Sequence, residues 1–178
     1  RTAGHLNGPW CTMTAHRPRI FGIVNVTEDS FSDGGKFLAP SDALSHATAL
    51  ADDGADVLDI GPASSHPDAR DVDPADEIAR LAGIWPALRQ IGRPISVDSF
   101  QPETQKWAVE HGANWLNDIN GFADEGMHAF LADATCNLVI MHAIQAKGIA
   151  TRDAPPDGDI WDHILTFFEV RLEALSKA

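Results

Sequence analysis

Polar residues follow short apolar runs at five places along the chain, and these are the side chains best suited to chemistry. Carboxylates accept hydrogen bonds, and a carboxamide both donates and accepts them. An amide oxygen is also a hard ligand of the kind that Mg²⁺ prefers. Because parallel strands bring their carboxyl ends to one edge, such residues can share a single ligand site. The five residues are Asn25, Asp59, Asp98, Asn117 and His142.

The first of them opens a polar loop at residues 25–35, with the sequence NVTEDSFSDGG. The apolar run before it, residues 20–24, is typical of a strand buried on both faces. Hydroxyls, carboxylates and Phe31 then precede two glycines. This pattern favours a site-bearing loop on a rigid strand, and an ordinary turn after a strand is the plainer alternative.

Strand-like and helix-like segments alternate five times, which predicts βα units and a parallel sheet. A doubly wound sheet would usually show a glycine-rich phosphate turn after its first strand, and neither GxGxxG nor GxxxxGKS occurs. A barrel instead carries polar residues at the carboxyl ends of successive strands, as this chain does. The expected fold class is therefore α/β of the TIM (β/α)8-barrel type, here an incomplete barrel of about five βα units.

Two segments carry clear helix signals. Ser41 or Asp42 is expected to cap the first helix, and Gly54 to end it. The second helix is predicted to start near Pro74, and Pro86 should bend it or split it in two.

Five βα units are too few to close a barrel, which typically needs about 250 residues, whereas this chain has 178. The first and fifth strands would keep open edges, and one apolar face would stay uncovered. Two explanations stay open: the chain is the N-terminal part of a longer protein, or a second copy completes the core.

Composition narrows the choice of partners. The formal net charge is −13, which argues against nucleic acid or an anionic membrane surface as the main partner. No apolar run approaches the roughly 20 residues of a membrane span. The two cysteines, Cys11 and Cys136, favour a reduced, cytoplasmic setting. Residues 1–18 are predicted to be an N-terminal extension, and residues 19–178 the barrel part.

The loop at residues 25–35 closely resembles the first-loop motif of dihydropteroate synthases. Other motifs of that family follow in order: DIG at 59–61, SSHP at 64–67, SVDS at 96–99, LNDI at 116–119 and MH at 141–142. Three segments are similar to the Sul-type, sulfonamide-insensitive branch: PASSHPDA at 62–69, DSFQPETQ at 98–105 and GIATR at 148–152. The resemblance covers roughly residues 19 to 178.

The resemblance implies a transferase of folate biosynthesis with Sul-like sulfonamide resistance. Such an enzyme condenses 6-hydroxymethyl-dihydropterin diphosphate with p-aminobenzoate and releases dihydropteroate and diphosphate. Asp98 and Asn117 would hydrogen-bond the pterin ring, and Met141 would pack against it. Plainer interpretations stay open: a helix cap for Asp98, a turn residue for Asn117 and core packing for Met141. The expected partners are these small molecules, and neither nucleic acid nor a membrane is expected to bind. The protein is expected to form a homo-oligomer.

At the diphosphate end, Asn25 matches the family's residue beside Mg²⁺, the implied cofactor. Ser65 matches a threonine that usually contacts the diphosphate. His66 stands where the family usually has arginine, as in the Sul-type branch. Charge-assisted diphosphate binding at this position therefore requires a protonated imidazole or another cation.

The first loop would supply the catalytic residues of a dissociative displacement. In that reaction the diphosphate leaves, and the arylamine attacks a cationic pterin methylene. Asp29 could stabilise the cation electrostatically, and Phe31 could pack on the arylamine ring. Thr27 and Ser30 would help to order the loop.

Some of the family's later motifs are not found in the chain. They are a pterin-contacting aspartate, a lysine in a Ser-Arg-Lys segment and an Arg-x-His pair. The chain alone is therefore expected to be weakly active or inactive. A pterin-dependent methyltransferase domain is one alternative, which the arylamine-capturing loop disfavours. A non-catalytic fragment that self-associates through its open edges is another.

Overall fold

The computed structural model describes residues 17–26, 40–63, 72–142 and 158–178. In these ranges five β-strands alternate with five α-helices, and each helix follows a strand. The strands are β1 (Phe21–Asn25), β2 (Val57–Gly61), β3 (Ile95–Asp98), β4 (Trp115–Asp118) and β5 (Asn137–Ile140). The helices are α1 (Pro40–Asp52), α2 (Pro74–Ile91), α3 (Pro102–Glu110), α4 (His128–Asp133, after a 3₁₀ turn at Glu125–Met127) and α5 (Ile160–Ser176).

All five strands run parallel in one sheet, and their spatial order follows the chain from β1 to β5. This order confirms the predicted succession of βα units. It also leaves β1 and β5 as the two edge strands of the described sheet, as expected. Parallel strands joined through helices bring their carboxyl ends to the same edge. Residues at the ends of successive strands therefore become neighbours.

The hydrophobic core lies between the helices and one face of the sheet, here called the outer face. A row of apolar register partners crosses all five strands on this face: Val24, Ile60, Val97, Leu116 and Leu138. The buried side chains Leu81, Ile84 and Leu88 of α2 belong to the same cluster. Full burial of such a side chain contributes roughly 1.5–3 kcal/mol, so the row holds the strands in register.

The opposite face, here called the inner face, is concave. Phe21 of β1 meets Trp115 of β4 edge to face, with 5.4 Å between the ring centroids. The guanidinium of Arg19 lies 5.4 Å from the centroid of the Trp115 ring. Because β2 and β3 separate these two strands, the contact requires the sheet to curl towards the inner face. Such curling is the geometry of a barrel wall.

The expectation that the first strand is buried on both faces is wrong for β1. Val24 on the outer face is fully buried, whereas Ile23 on the inner face is 61% exposed. The strand's apolar composition is compatible with burial on both sides, but β1 is an edge strand of a half-open sheet. In β2, which has a neighbour on each side, all five residues are buried.

Two of the helix predictions are corrected. Helix α1 begins at Pro40, so Ser41 and Asp42 lie in its first turn and neither is the cap. Helix α2 is continuous from Pro74 to Ile91 with Pro86 inside it, so the predicted split does not occur. A helix tolerates an internal proline when tertiary packing offsets the lost hydrogen bond, and the helix buries a broad apolar face here.

The loop after β4 has a backbone conformation that only glycine adopts easily. Gly121 has φ +61°, and a Cβ there would lie 3.0 Å from Phe167 Cζ and 3.1 Å from the Met141 carbonyl oxygen. Both distances are shorter than ordinary van der Waals contact. Gly121 thus lets α5 and the end of β5 approach the carboxyl end of β4.

Replacing Gly121 by alanine is expected to lower the free energy of unfolding by about 2 kcal/mol, because it adds left-handed strain and crowding. Gly83→Ala is the matched control, since Gly83 is exposed within α2 and its Cβ would meet no atom within 4 Å. The control should gain roughly 0.5–1 kcal/mol from helix propensity. Urea unfolding measures both values. Equal changes in the free energy of unfolding of the two variants would contradict the requirement for glycine at position 121.

In the ranges that the structure describes, no helix combines the length and the apolar character required to cross a membrane.

Candidate active site

Two of the residues expected to bind the pterin lie side by side on the inner face. Asp98 ends β3, Asn117 lies in β4, and the register makes them direct partners. Just beyond them, the backbone N–H of Ser99 donates to the carbonyl oxygen of Asn117 at 3.1 Å. The fold therefore places a carboxylate and a carboxamide together at the carboxyl edge of the sheet.

Asp59 of β2 is a third member of this group. Its Oδ2 accepts a hydrogen bond from Asn117 Nδ2 at 3.2 Å, across the intervening strand β3. Asp59 is only 7% exposed. The sequence places Asp59 among the polar strand ends but gives it no specific role in binding.

Three buried polar atoms in this region have no hydrogen-bond partner in the described part of the chain. They are Asp59 Oδ1, Asn117 Oδ1 and the hydroxyl oxygen of Ser96, the register partner of Asp59. A buried polar atom without a partner costs roughly 1–3 kcal/mol. We name Asp59, Ser96, Asp98 and Asn117 the inner-face cluster. Its open acceptors fit a ligand that presents N–H donors.

The carboxyl group of Asp98 has an unusual environment. Its burial raises the pKa to about 7 from an ordinary value of 3.8, and the negative charges of Asp59, Asp118 and Glu77 add to this effect. Asp98 is therefore close to half-protonated at neutral pH. A carboxyl group kept in this state is typical of a functional site.

The plainer interpretations of Asp98 and Asn117 are not supported. Helix α3 begins at Pro102 with Gln101 at the cap position, so Asp98 does not cap it. Asn117 lies within β4, and the turn that follows is stabilised by Asp118, whose Oδ1 accepts from the backbone N–H of Asn120 at 2.7 Å. The side chains of Asp98 and Asn117 are thus available to bind a ligand on the inner face.

Asn25 lies at the carboxyl end of β1, and its side chain is exposed. Its Oδ1 lies against Gly61, where a Cβ would come within 3.0 Å of that oxygen. Among the described residues, no group of three or more His, Cys, Asp or Glu side chains is arranged to hold a metal ion. A single amide oxygen fits an ion that takes most of its ligands from phosphate and water, as Mg²⁺ commonly does.

Met141 follows β5 and is 37% exposed, so core packing does not account for it. It comes two residues after Val139, the register partner of Asn117, and strand alternation predicts the same face for both. Its neighbour His142 packs instead against α5, with ring centroids 5.0 Å from Phe167 and 5.2 Å from His163. His142 is therefore part of the contact between β5 and α5.

The other predicted site residues lie outside the described ranges. They are Thr27, Asp29, Ser30 and Phe31 of the first loop, and Ser65 and His66 of the second. Their roles stay predictions.

Residues 21–178 match the family model described as pterin binding enzyme. The chain belongs to this family. The match spans all five βα units, so the inner-face cluster lies within the matched region.

Two similar proteins are dihydropteroate synthases. The type-2 enzyme of Escherichia coli is 52% identical over 159 residues, which are 89% of this chain and 58% of that protein. The type-1 enzyme of Mycolicibacterium fortuitum is 48% identical over 168 residues, 93% of this chain and 59% of that protein. The predicted resemblance, including that to the Sul-type branch, is confirmed.

Two solved structures of dihydropteroate synthases are similar to this chain in fold. Dihydropteroate synthase from Xanthomonas albilineans with 4-aminobenzoic acid has a TM-score of 0.77 and 38% identity, over 90% of this chain and 57% of that one. The Burkholderia cenocepacia enzyme complexed with 7,8-dihydropteroate has a TM-score of 0.78 and 32% identity, over 92% of this chain and 55% of that one. The chain thus spans little more than half the length of these relatives. The predicted fold class, part of a TIM barrel, is confirmed.

Proposed function

We propose that this chain provides the pterin-binding part of a dihydropteroate synthase with Sul-like sulfonamide resistance. Such a transferase joins 6-hydroxymethyl-dihydropterin diphosphate to p-aminobenzoate in folate biosynthesis. The observation that carries the proposal is the inner-face cluster, whose buried acceptor oxygens lack donors in the described chain. Membership of the pterin-binding family supports the choice of ligand.

The proposed binding mode follows from the chemistry of the cluster. The amidine-like edge of an aminopterin presents N–H groups, which the ionised carboxylate of Asp98 accepts well. Asn117 donates one N–H to Asp59. Its Oδ1, which has no partner among the described residues, would accept another ligand N–H. Met141 would cover the ring face. Hydrogen bonds to charged groups contribute about 1.5–3 kcal/mol each, so the cluster can provide most of the specificity for the ring.

The diphosphate end belongs to Asn25 and to residues outside the described ranges. Asn25 Oδ1 is proposed as one ligand of Mg²⁺, which when bound would neutralise negative charge on the departing diphosphate. Ser65 would donate to the diphosphate, and His66 would do so most strongly as imidazolium. Asp29 would stabilise positive charge at the pterin methylene, and Phe31 would hold the arylamine.

The same proposal covers the extent of the barrel, the cellular compartment and the oligomeric state. The barrel part comprises residues 19–178, and residues 1–18 are an extension to it. The protein works in the cytoplasm on small-molecule substrates as a homo-oligomer, which the unpaired edges of β1 and β5 in the described sheet would favour. The similarity to the two synthases named above favours a dihydropteroate synthase over a pterin-dependent methyltransferase.

Calorimetric titration with 6-hydroxymethyl-dihydropterin diphosphate and Mg²⁺ tests the proposal, followed by an assay for dihydropteroate after p-aminobenzoate is added. Asn117→Ala is expected to weaken pterin binding about tenfold, because one or two hydrogen bonds are lost. Asn137→Ala is the matched control, since Asn137 is an exposed carboxamide at the amino end of β5. No binding by the parent chain, or an equal loss in both variants, would overturn the proposal.

A further inference from the structure

A second buried polar group lies behind the site, on the outer face of the sheet. It consists of Glu77 of α2, Gln105 of α3, Ser99 after β3 and Asp118 at the end of β4. All four are buried, and Gln105 is only 2% exposed. Burying polar groups is costly unless they are hydrogen-bonded to one another. None of the four belongs to the inner-face cluster, so direct contact with a pterin does not explain their burial.

Gln105 lies at the centre of this group. Its Nε2 donates to the Ser99 carbonyl oxygen at 2.8 Å and to Asp118 Oδ2 at 2.9 Å. One amide group therefore uses both of its N–H donors to join the ends of two neighbouring strands. The Ser99 hydroxyl in turn donates to Glu77 Oε2 at 2.6 Å, which anchors the same point to α2.

The positions of the joined residues matter because each one directly follows a residue of the inner-face cluster. Ser99 follows Asp98, and Asp118 follows Asn117. Successive side chains of a strand point to opposite faces. The bridge joins the Ser99 carbonyl to the Asp118 side chain behind the inner face, so it can constrain the spacing of Asp98 and Asn117 in front of it.

We propose that Gln105 is a positioning residue for pterin binding, which holds Asp98 and Asn117 at the separation that the ring edge requires. The inference rests on the proposed function. Ligand groups must be held within fractions of an ångström of their productive geometry, and residues behind the site commonly provide this. Gln105 contacts no residue of the inner face in the bonds described, so its effect passes through the two strand ends.

The test is Gln105→Met, which keeps the length and approximate volume of the side chain but removes both donors. Ala108→Gly is the matched control, because Ala108 is fully buried in the same helix and carries no polar group. Both variants should lose stability, which urea unfolding measures. Affinity for 6-hydroxymethylpterin is then measured by calorimetry under conditions where each variant is folded.

Gln105→Met is expected to weaken pterin binding about fivefold, and Ala108→Gly to leave it unchanged. The ¹⁵N–¹H signal of the Asn117 side-chain amide should move in the first variant alone, a response that a general loss of stability does not produce. Unchanged affinity in Gln105→Met, or equal weakening in the control, would overturn the inference. A parent chain that binds no pterin would instead overturn the proposed function.

Discussion

Asp98→Asn is expected to make the folded chain more stable at pH 8 and to remove most of its affinity for the pterin. The two effects have one origin, which is the burial of the Asp98 carboxyl among other acidic side chains. This environment raises the pKa of Asp98 to about 7 from 3.8. The group is therefore costly to ionise in the folded state.

The sign of the stability effect follows from that direction. A carboxyl whose pKa is higher in the folded state costs no stability well below pH 4, where it is protonated in both states. Between about pH 4 and pH 7 the unfolded state loses its proton more readily, so stability falls as the pH rises. At pH 8 the full penalty applies, on the order of 2 to 4 kcal/mol. Asparagine does not titrate and avoids this penalty.

The affinity should change in the opposite direction. An asparagine offers one acceptor oxygen, places N–H donors beside the N–H donors of the ring, and carries no charge. Losing a charge-assisted pair of hydrogen bonds is expected to weaken pterin binding about 100-fold. Such opposition between stability and function is common where a site holds a strained or poorly solvated group.

Urea unfolding at pH 4 and pH 8, together with calorimetric titration of the pterin, measures both effects. Asp53→Asn is the control, because Asp53 is exposed in the turn after α1 and its substitution should change stability by less than about 0.5 kcal/mol. If Asp98→Asn were less stable than the parent chain at pH 8, the electrostatic account of Asp98 would be wrong.

The second large effect is the pH dependence of pterin affinity in the parent chain. In the proposed binding mode only the ionised form of Asp98 accepts two N–H groups from the ring, so the affinity should increase as the pH rises through about 7. With that pKa, the dissociation constant should fall about 30-fold between pH 5.5 and pH 8.5 and then level off. Titrations at half-unit intervals of pH define the midpoint.

Asp59→Asn tests independently whether the charge of Asp59 contributes to the raised pKa of Asp98. The negative charge of Asp59 helps to raise the pKa of Asp98, and an asparagine removes the charge while its amide oxygen can still accept from Asn117. The midpoint of the pH dependence should therefore move to lower pH. A midpoint that stays in place would show that the Asp59 charge is not a cause. Affinity that increases at low pH would show that protonated Asp98 is the binding form.

Several features of the fold were predictable because they depend on local sequence. Apolar runs of about five residues mark the strands, and glycine or proline marks many of the helix ends. The placement of Asp98 and Asn117 at one edge follows from the order of parallel strands, which share a carboxyl edge, whereas the register of β3 with β4 makes them direct partners. The same reasoning failed for β1, because Ile23 on its inner face stays 61% exposed in this edge strand. Of the two outcomes predicted for Pro86, a bend or a split, the split does not occur, because tertiary packing keeps α2 continuous.

The sequence by itself determined the alternation of strands and helices, the polar residues at the strand ends and the family resemblance. These are encoded by residue type and by spacing over short distances. The tertiary structure alone decided that Asp59 bonds to Asn117, 58 residues away, that burial beside three acidic side chains raises the pKa of Asp98, and that Gln105 bridges two strand ends. Such contacts depend on the register and the curl of the sheet, which are set by the packing of the whole core and not by any one segment.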